Sequence, residues 1–482
     1  MIRILRFVLF ASLSAILVLI LPNTVLLSTQ KQSSAVYPVK AKDLQLVCNG
    51  PMILAGGKTG TSVTSFRRLK TVGVSIGYSA APETTLRIFG TSSVVGYSVR
   101  QDLSASLDKS GSVTVIDSTG ATAQGSALLT ASQLQLATDK QISGLLGAPC
   151  LRPQSEFWFV GGSTKIGREA LLVINNPSPV DSTVDLEIYT ENGNSHAAGL
   201  TGISAPSGKT TLLPLSSFVP QSGSIALHLT SHGGSLTALV QQKTVRGISA
   251  NGADFIAPSE LQAKTAVFPG ILIRGATHSA KLRSMNSKFS DVQNILRVYV
   301  PGSTDANLTL QVLGTDSDTF GTVLSVTAPA GKVSDFKIAG LKDGNYFGFM
   351  QSDVETRSSI RLVRSNTSGD AYTDFTWLNA TEPFTNPRYV TVSKAGISKL
   401  SLVNPSNKQT KVTLKFGSET LNVNIPALSE KVIATRAGLA VGIFPSDAAI
   451  HANLLVDVKG RIAVIPVLDQ KNISGEVKVS VH

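Results

Sequence analysis

The chain has 482 residues, of which only 15 % are charged and 41 are glycine. This length predicts roughly three or four domains, and the composition favours short strands joined by tight turns over long helices. The formal net charge of +12 is spread along the chain with no run of five basic residues, which excludes the clustered charge of a nucleic-acid binder. Two interpretations stay open, a diffuse attraction to anionic wall polymers or lipid head groups and a mildly basic solvated surface.

The first 35 residues have the layout of an export signal. Arg3 and Arg6 precede an apolar run over residues 7–21, which is typical of a signal sequence whose positive end stays in the cytoplasm. Residues 4–27 number 24, enough for a helix to span a bilayer at about 1.5 Å per residue. We therefore expect an extracytoplasmic protein anchored in the membrane by an N-terminal helix. A secreted protein, cleaved near Ala35, is the alternative.

Residues 36–152 are predicted to form a first domain that contains the only two cysteines, Cys48 and Cys150. Thiols oxidise outside the cytoplasm, so a disulfide between them is the natural interpretation. Two unrelated free thiols are the alternative. Alternating apolar residues predict several strands in this domain, and residues 127–146 are expected to hold a short helix.

The densest aromatic patch of the chain follows at Phe157, Trp158 and Phe159. If exposed, Phe157 and Trp158 could stack on sugar rings, and Trp377 could do the same farther along the chain. The other interpretation is that the triplet packs under the adjoining sheet. We therefore treat Phe157, Trp158 and Trp377 as candidate residues for ligand stacking.

One short pattern occurs three times and organises the rest of the chain. Pro177, Pro301 and Pro405 each follow apolar residues at −5 and −3 and precede apolar residues at +7, +9 and +11. This period of two places alternate side chains on one face of a strand. The copies are 124 and 104 residues apart, long enough for each to bury its own core. We therefore predict an all-β protein of tandem immunoglobulin-like β-sandwich modules behind an N-terminal signal or transmembrane helix: module 1 at 153–262, module 2 at 263–384 and module 3 at 385–482.

Short motifs that resemble catalytic signatures lack the context that the chemistry needs. Residues 73–77 match Gly-x-Ser-x-Gly around Ser75, but no helix pattern follows, and the nearest later histidine, His196, lies in another module. Residues 56–60 lack the first glycine of a phosphate loop. The order of Lys-Thr-Gly and Ser-x-x-Lys, at 58–60 and 106–109, is the reverse of that in penicillin-binding enzymes.

Metal binding finds equally little support in the sequence. His228 and His232 have a helical spacing, but they lie in a strand-like stretch with no third ligand nearby. Residues 316–321 begin like a calcium loop, but Thr327 stands where the later carboxylate belongs. The sequence therefore predicts no catalytic, cofactor or metal site, and no enzyme.

Four motifs together carry a resemblance to a known family: residues 157–163, 176–178, 254–259 and 374–378. On these motifs the chain resembles a family of uncharacterised exported actinobacterial proteins, defined as a domain of unknown function, over most of residues 150–480. The resemblance implies an all-β protein of the cell envelope, membrane-anchored or secreted. It transfers no catalytic residue, because none is established for the family, and it does not extend to the region around Cys48.

These observations favour a non-enzymatic cell-envelope protein with a structural or binding role at the cell surface. Its expected partners are cell-wall polymers or envelope proteins, and the membrane through the N-terminal helix, but not nucleic acid. The alternative is a carbohydrate-binding protein of the wall that uses exposed aromatic residues. A third hypothesis, an extracytoplasmic enzyme, requires a cleft with convergent polar groups.

Overall fold

The computed structural model describes residues 34–39, 44–55, 66–79, 84–89, 95–99, 103–119, 128–139, 141–259, 261–315, 321–365, 373–469 and 475–480. Within them almost all regular secondary structure is β-strand, so the all-β prediction is confirmed. Helical structure there is limited to α1 (Ala276–Met285) and two 3-10 turns, Leu215–Ser217 and Ser287–Phe289. None of the helices in the described ranges is long and apolar enough to cross a membrane. The predicted leader lies outside these ranges up to residue 33.

The strands of the first domain form two four-stranded sheets and a small hairpin. The strands up to residue 152 are β1 (Ser34–Val39), β2 (Leu44–Cys48), β3 (Ile53–Ala55), β4 (Phe66–Arg68), β5 (Val72–Ser79), β6 (Thr84–Phe89), β7 (Val95–Val99), β8 (Leu103–Ser110), β9 (Thr114–Thr119), β10 (Leu128–Thr138) and β11 (Ser143–Pro149). The larger sheets have the orders β11-β10-β5-β8 and β2-β9-β6-β7, and β3 pairs with β4.

Module 1 also contains two sheets. The strands are β12 (Glu156–Val160), β13 (Arg168–Asn175), β14 (Ser182–Thr190), β15 (Gly193–Asn194), β16 (Ile203–Ala205), β17 (Thr210–Pro214), β18 (Ile225–His232), β19 (Thr237–Arg246) and β20 (Ser249–Ile256). The orders of the two sheets are β12-β18-β14-β15, with β16 paired to β14, and β17-β13-β19-β20.

In module 2 one long strand, β26, runs through the sheet and pairs with β21, β22, β23 and β27. Module 3 returns to two sheets, β28-β33-β30-β31 and β32-β29-β34-β35. The strands of both modules are β21 (Ala263–Ile273), β22 (Ile295–Tyr299), β23 (Ala306–Gly314), β24 (Thr322–Ala328), β25 (Val333–Lys337), β26 (Gly344–Ser365), β27 (Thr373–Asn379), β28 (Arg388–Thr391), β29 (Ile397–Asn404), β30 (Thr410–Phe416), β31 (Glu419–Ile425), β32 (Ser429–Ala434), β33 (Ala440–Pro445), β34 (His451–Val458), β35 (Arg461–Pro466) and β36 (Gly475–Ser480).

The chain divides into two compact units, residues 1–42 with 473–482 and residues 43–472. In the first unit β1 pairs antiparallel with β36, with Ser34 opposite Ser480. The cores and clefts described below all belong to the second unit.

The helix expected over residues 127–146 is wrong, because β10 and β11 occupy this stretch. Two glutamines of β10 are buried, and their side chains supply hydrogen bonds that a neighbouring strand would otherwise supply. The side-chain oxygen of Gln133 accepts from the backbone N–H of Gly50 at 3.0 Å, and that of Gln135 accepts from Met52 at 2.8 Å. Long-range hydrogen bonds of this kind leave no trace in local sequence propensity.

The three proline turns occupy corresponding places in the strand order. The strand before each proline is central in its part of the sheet: β13 lies between β17 and β19, β22 between β25 and β26, and β29 between β32 and β34. The strand after it alternates buried and less buried residues in the same order in all three copies. Descent of the modules from one ancestor remains a prediction.

Two of the turns also share their hydrogen bonds. The side-chain oxygens of Asn176 and Asn404 each accept at 3.0 Å from the backbone N–H two residues later. Their side-chain nitrogens donate across the turn to the carbonyl oxygens of Ala205 and Ile425. Asparagine before proline thus closes the turn through its side chain, whereas valine precedes Pro301.

Each part of the second unit packs side chains into the core of the next. Phe375 and Trp377 of module 2 lie in the core of module 1, and Leu455 of module 3 lies in the core of module 2. Leu145 of the first domain lies in the core of module 3, and Phe255 of module 1 joins a core with the first domain. The shared cores therefore form a closed circuit from the first domain through the three modules and back. The predicted module boundaries remain predictions.

Four strands, one from each part of this circuit, meet at the point where the parts contact one another: β11, β20, β27 and β35. The approach of β11 to β20 is so close that a Cβ at Gly144 would lie 2.4 Å from the backbone nitrogen of Ala253. The carboxylate of Asp374, on β27, accepts from the backbone N–H groups of Leu145 at 3.1 Å and Ile462 at 3.3 Å. Glycine and aspartate thus allow strands from separate sheets to approach and bind.

Candidate functional site

A cleft of about 920 Å³ opens between module 1 and module 2. Its wall in module 1 comes from the loop before β13, the loop before β18 and the turn between β19 and β20. Its wall in module 2 comes from the segment after α1 and from β25 and β26. The residues that line it are Ser163, Lys165, Ile166, Gly167, Arg168, Glu191, Gly223, Ser224, Val245, Arg246, Gly247, Lys288, Ser290, Asp291, Gln293, Ile295, Asp335, Lys337 and Arg361.

The cleft carries a surplus of positive charge. Six of its lining residues are lysine or arginine and three are aspartate or glutamate, which leaves three positive charges in excess. Lys165, Lys288 and Lys337 are exposed, whereas the arginines lie deeper. Because low-dielectric walls focus the field of such charges, the cleft attracts anions.

Three arginines converge on one residue, Asp291. Arg168 forms an ion pair and hydrogen bond with Asp291 Oδ2, and Arg246 Nη2 lies 2.9 Å from Oδ1. Arg361 Nη2 donates to the backbone carbonyl of the same residue at 2.8 Å. The carboxylate of Asp291 therefore pairs directly with two guanidinium groups, and the third, that of Arg361, binds the backbone of the same residue.

Burial makes this arrangement costly for Arg246, whose side chain is only 8 % exposed. Desolvation is the main cause that lowers the pKa of Arg246, to about 10. The attraction of Asp291 raises this pKa, and the repulsion from Arg168 and Arg361 lowers it. Desolvation also lowers the pKa of Arg361. The guanidinium of Arg246 lies 5.1 Å from the ring centroid of Phe289, which supports it from the side of module 2.

The other two carboxylates of the cleft are already engaged. Asp335 binds the fully buried Arg297 through two hydrogen bonds of 2.7 and 2.8 Å. Burial alone would raise the pKa of Asp335, but the charge and hydrogen bonds of Arg297 hold it below its ordinary value. Glu191 accepts from the backbone N–H groups of Gly223 at 2.8 Å and Ser224 at 3.1 Å. Neither carboxylate is poised to act as an acid or base.

Arg297 also joins the two walls of the cleft. It donates to the backbone carbonyls of Gly162 and Gly223 in module 1, while its own strand, β22, belongs to module 2. Its guanidinium lies 4.7 Å from the ring centroid of Trp377. Arg297 therefore links module 2 to the backbone of module 1 beside the cleft.

The candidate stacking residues from the sequence are found in different environments. Phe157 and Trp377 are 2 % and 5 % exposed and belong to one core, and the indole nitrogen of Trp377 donates to Gln242 Oε1 at 3.1 Å. Packing encloses both rings, which disfavours their predicted role as ligand platforms. Only Trp158 is partly exposed.

Trp158 belongs to an aromatic group near the same module contact. Its ring stacks on His228 with 4.1 Å between centroids and lies 5.7 Å from the ring of Tyr299. The guanidinium of Arg357 lies 4.2 Å from the indole centroid. Much of the ring surface is therefore already covered by the protein's own side chains.

The histidines considered as metal ligands have other partners. His228 lies between two carboxylates, 2.7 Å from Glu187 and 3.0 Å from Glu156, and the hydrogen bond to His228 lowers the pKa of Glu156. His232 bonds Asp185 at 2.9 Å. Over the described ranges no group of three or more His, Cys, Asp or Glu residues is arranged to hold a metal ion.

The remaining motifs are structural or lie outside the described residues. Ser75 is buried inside β5, which continues to Ser79, and the next element of the described residues is the strand β6. Ser106 and Lys109 both lie on β8. Residues 56–60 and 316–320 are outside the described ranges.

The disulfide predicted from the sequence is present: it joins Cys48 and Cys150, and both residues are buried. Cys48 ends β2 and Cys150 follows β11, so the bond connects the two larger sheets of the first domain.

Comparison with known proteins gives a family but no function. No curated protein matches the sequence, and no solved structure does. The model of one family of unknown function matches residues 104–422, about two thirds of the chain. The chain therefore belongs to the family of unknown function DUF5719.

Proposed function

We propose that this protein is a non-enzymatic, extracytoplasmic protein of the cell envelope that serves as a rigid binding platform. The observation that carries this proposal is the cleft between modules 1 and 2, whose three carboxylates are all committed to arginines or backbone amides. Such a site can hold a ligand, and none of its carboxylates is left without a partner in the protein. Cell-wall polymers and envelope proteins are the proposed partners.

The location rests on two features of the chain. The charged and apolar residues at the start of the sequence have the layout of an export signal, and the buried disulfide suits an oxidising compartment. The proposal includes an N-terminal signal or membrane anchor and an actinobacterial source.

The proposed architecture is a set of immunoglobulin-like β-sandwich modules that arose by duplication. Corresponding strand order around the three proline turns supports it, as do the shared hydrogen bonds of Asn176 and Asn404. Modules of this type provide stable scaffolds for exposed loops.

Location is tested by the redox state of the cysteines in producing cells. Cells are quenched in denaturant with a polymer-tagged maleimide, with and without prior reduction. We expect labelling of Cys48 and Cys150 only after reduction, and mass spectrometry of the N-terminus then separates an intact anchor from a cleaved leader. The control is a variant that lacks residues 1–35, which should stay in the cytoplasm with both thiols reactive. Free thiols in the intact chain would contradict export.

A carbohydrate-binding role is the second candidate, and the partly exposed Trp158 favours it. The test is a pull-down with insoluble wall glycans. Binding should fall at least tenfold in Trp158→Ala and persist in Trp158→Phe, which keeps an aromatic face. Equal binding by Trp158→Ala and the unmodified protein would remove this candidate.

A further inference from the structure

We propose that the cleft between module 1 and module 2 is a binding site for an organic phosphate, whose phosphate group contacts the arginine cluster formed by Arg168, Arg246 and Arg361. This inference does not depend on export of the protein, and no family description assigns such a site.

The charge balance around Asp291 favours an anionic ligand. Asp335 is taken up by Arg297, and Glu191 is satisfied by Ser222 and backbone amides. The carboxylate of Asp291 pairs with Arg168 and Arg246, and Arg361 binds only the backbone carbonyl of that residue, so one negative charge faces three positive ones. A phosphate group brings between one and two negative charges at neutral pH, which matches the charge left over.

The geometry of the donors also suits a phosphate group. Guanidinium groups present several N–H donors in a planar fork that suits phosphate oxygens. The three arginines come from β13, β19 and β26, and ion pairs, the ring of Phe289 and the neighbouring sheets hold them in place. Since the donors are fixed before binding, little conformational entropy is lost when an anion enters.

The cleft is larger than inorganic phosphate requires. The cleft volume of about 920 Å³ lies at the upper end of pockets for small molecules and far exceeds the space that one phosphate fills. The exposed Lys165, Lys288 and Lys337 also line the cleft and offer contacts to further negative charges. The ligand is therefore larger than inorganic phosphate: its phosphate meets the arginines and its remaining groups occupy the rest of the cleft.

The small cavity behind the cluster has a different role. It measures about 10 Å³ and is lined by Arg246, Arg361 and Asp374, among others. This is the size of one water molecule, and the buried Nε atoms of Arg246 and Arg361, which have no protein acceptor, are the donors that a water there would meet. The phosphate therefore approaches from the cleft side.

The test is calorimetric titration of the full-length protein at 150 mM NaCl with three probes: inorganic phosphate, glycerol phosphate and vesicles that contain phosphatidylglycerol. We expect saturable binding of glycerol phosphate with one site per chain and weaker binding of inorganic phosphate. Vesicle binding that glycerol phosphate displaces would identify a lipid head group as the source of the phosphate. Nonspecific long-range attraction to exposed charge is largely screened at this salt concentration.

Two variants test the location of the site, and a third is the control. Arg168→Gln removes one donor of the cluster, and Lys165→Glu changes an exposed side chain without disturbing a core. Both should weaken glycerol phosphate binding at least tenfold. Arg436→Gln removes the same charge from an exposed ion pair in module 3 and should leave binding unchanged.

The proposal is overturned if no phosphate probe shows saturable binding, or if all three variants bind as the unmodified protein does. Equal affinity for inorganic phosphate and glycerol phosphate would overturn the assignment of an organic ligand. Native mass, circular dichroism and the thermal midpoint of each variant distinguish a lost site from a misfolded chain.

Discussion

Buried carboxylates mark the places where strands of different modules meet. Asp254 accepts from the backbone N–H of Trp377 at 2.7 Å, and Asp374 accepts from Leu145 and Ile462. Glu430 accepts from the backbone N–H of Gly270 at 2.7 Å. In each case a carboxylate supplies the acceptor that a neighbouring strand would supply in a continuous sheet, so each contributes specificity to a contact between modules.

The protonation of Asp374 links these contacts to pH. Burial raises the pKa of Asp374 to about 7, above its ordinary value of about 3.9 in an unfolded chain. The folded state therefore binds the proton more tightly. The resulting stability is fully present below pH 4 and is lost as the pH rises through 7.

We predict that Asp374→Asn reduces the loss of stability between pH 4 and pH 7. The amide keeps one oxygen acceptor but does not ionise, so up to about 4 kcal/mol of pH-dependent free energy of unfolding should disappear. Urea unfolding at several pH values measures this change. Asp447→Asn, an exposed position in the same chain, is the control and should keep the pH slope. An unchanged slope in Asp374→Asn would show that the carboxyl is ionised throughout.

At the scale of elements, the disulfide ties the two larger sheets of the first domain together. The cysteines are 102 residues apart, and a bond across a loop of this length restricts the unfolded chain strongly. The chain-entropy model gives about 4 to 5 kcal/mol for such a loop. The first domain should thus depend on oxidation more than on any single strand pair.

We predict that the double variant Cys48→Ala, Cys150→Ala loses about 4 kcal/mol in free energy of unfolding. Urea unfolding with and without dithiothreitol measures the difference. With reductant, the unmodified protein should approach the stability of the variant, because both then lack the bond. A midpoint of the unmodified protein that reductant does not shift would contradict the prediction.

The strands that sequence analysis identified best are those with a local signal. In β14, β23 and β30 a strict alternation of apolar residues corresponds to alternating burial. The helix expected over β10 shows the limit of local patterns. Gln133 and Gln135 are buried there, and their side chains form hydrogen bonds with residues more than eighty positions away.

No local pattern in the sequence indicates the arginine cluster. Arg168, Arg246 and Arg361 stand on three strands separated by 78 and 115 residues, and only the packing of module 1 against module 2 brings them to Asp291. Spacing rules for motifs act within one element or one turn. A site assembled between modules could therefore not be predicted from this sequence. The sequence indicated Phe157, Trp158 and Trp377 as candidate residues instead.

At the scale of the whole second unit, the shared cores bear on how the protein unfolds. Modules joined like beads would unfold independently, in several steps. Here Trp377 completes the core of module 1, Leu455 that of module 2 and Leu145 that of module 3. Removing any one part would expose apolar surface on its neighbours, so the parts should unfold together.

We predict that Leu145→Ala destabilises residues 43–472 as a whole. Leu145 is fully buried, and loss of its side chain leaves a cavity that costs about 2 to 5 kcal/mol. The midpoint of urea unfolding should shift equally when followed by circular dichroism and by tryptophan fluorescence, although both tryptophans, Trp158 and Trp377, lie outside the first domain and module 3. Leu421→Ala, at an exposed position of module 3, should change stability by less than about 0.5 kcal/mol. If the fluorescence midpoint stays in place while the dichroism midpoint moves, the modules unfold separately and the shared cores do not couple them.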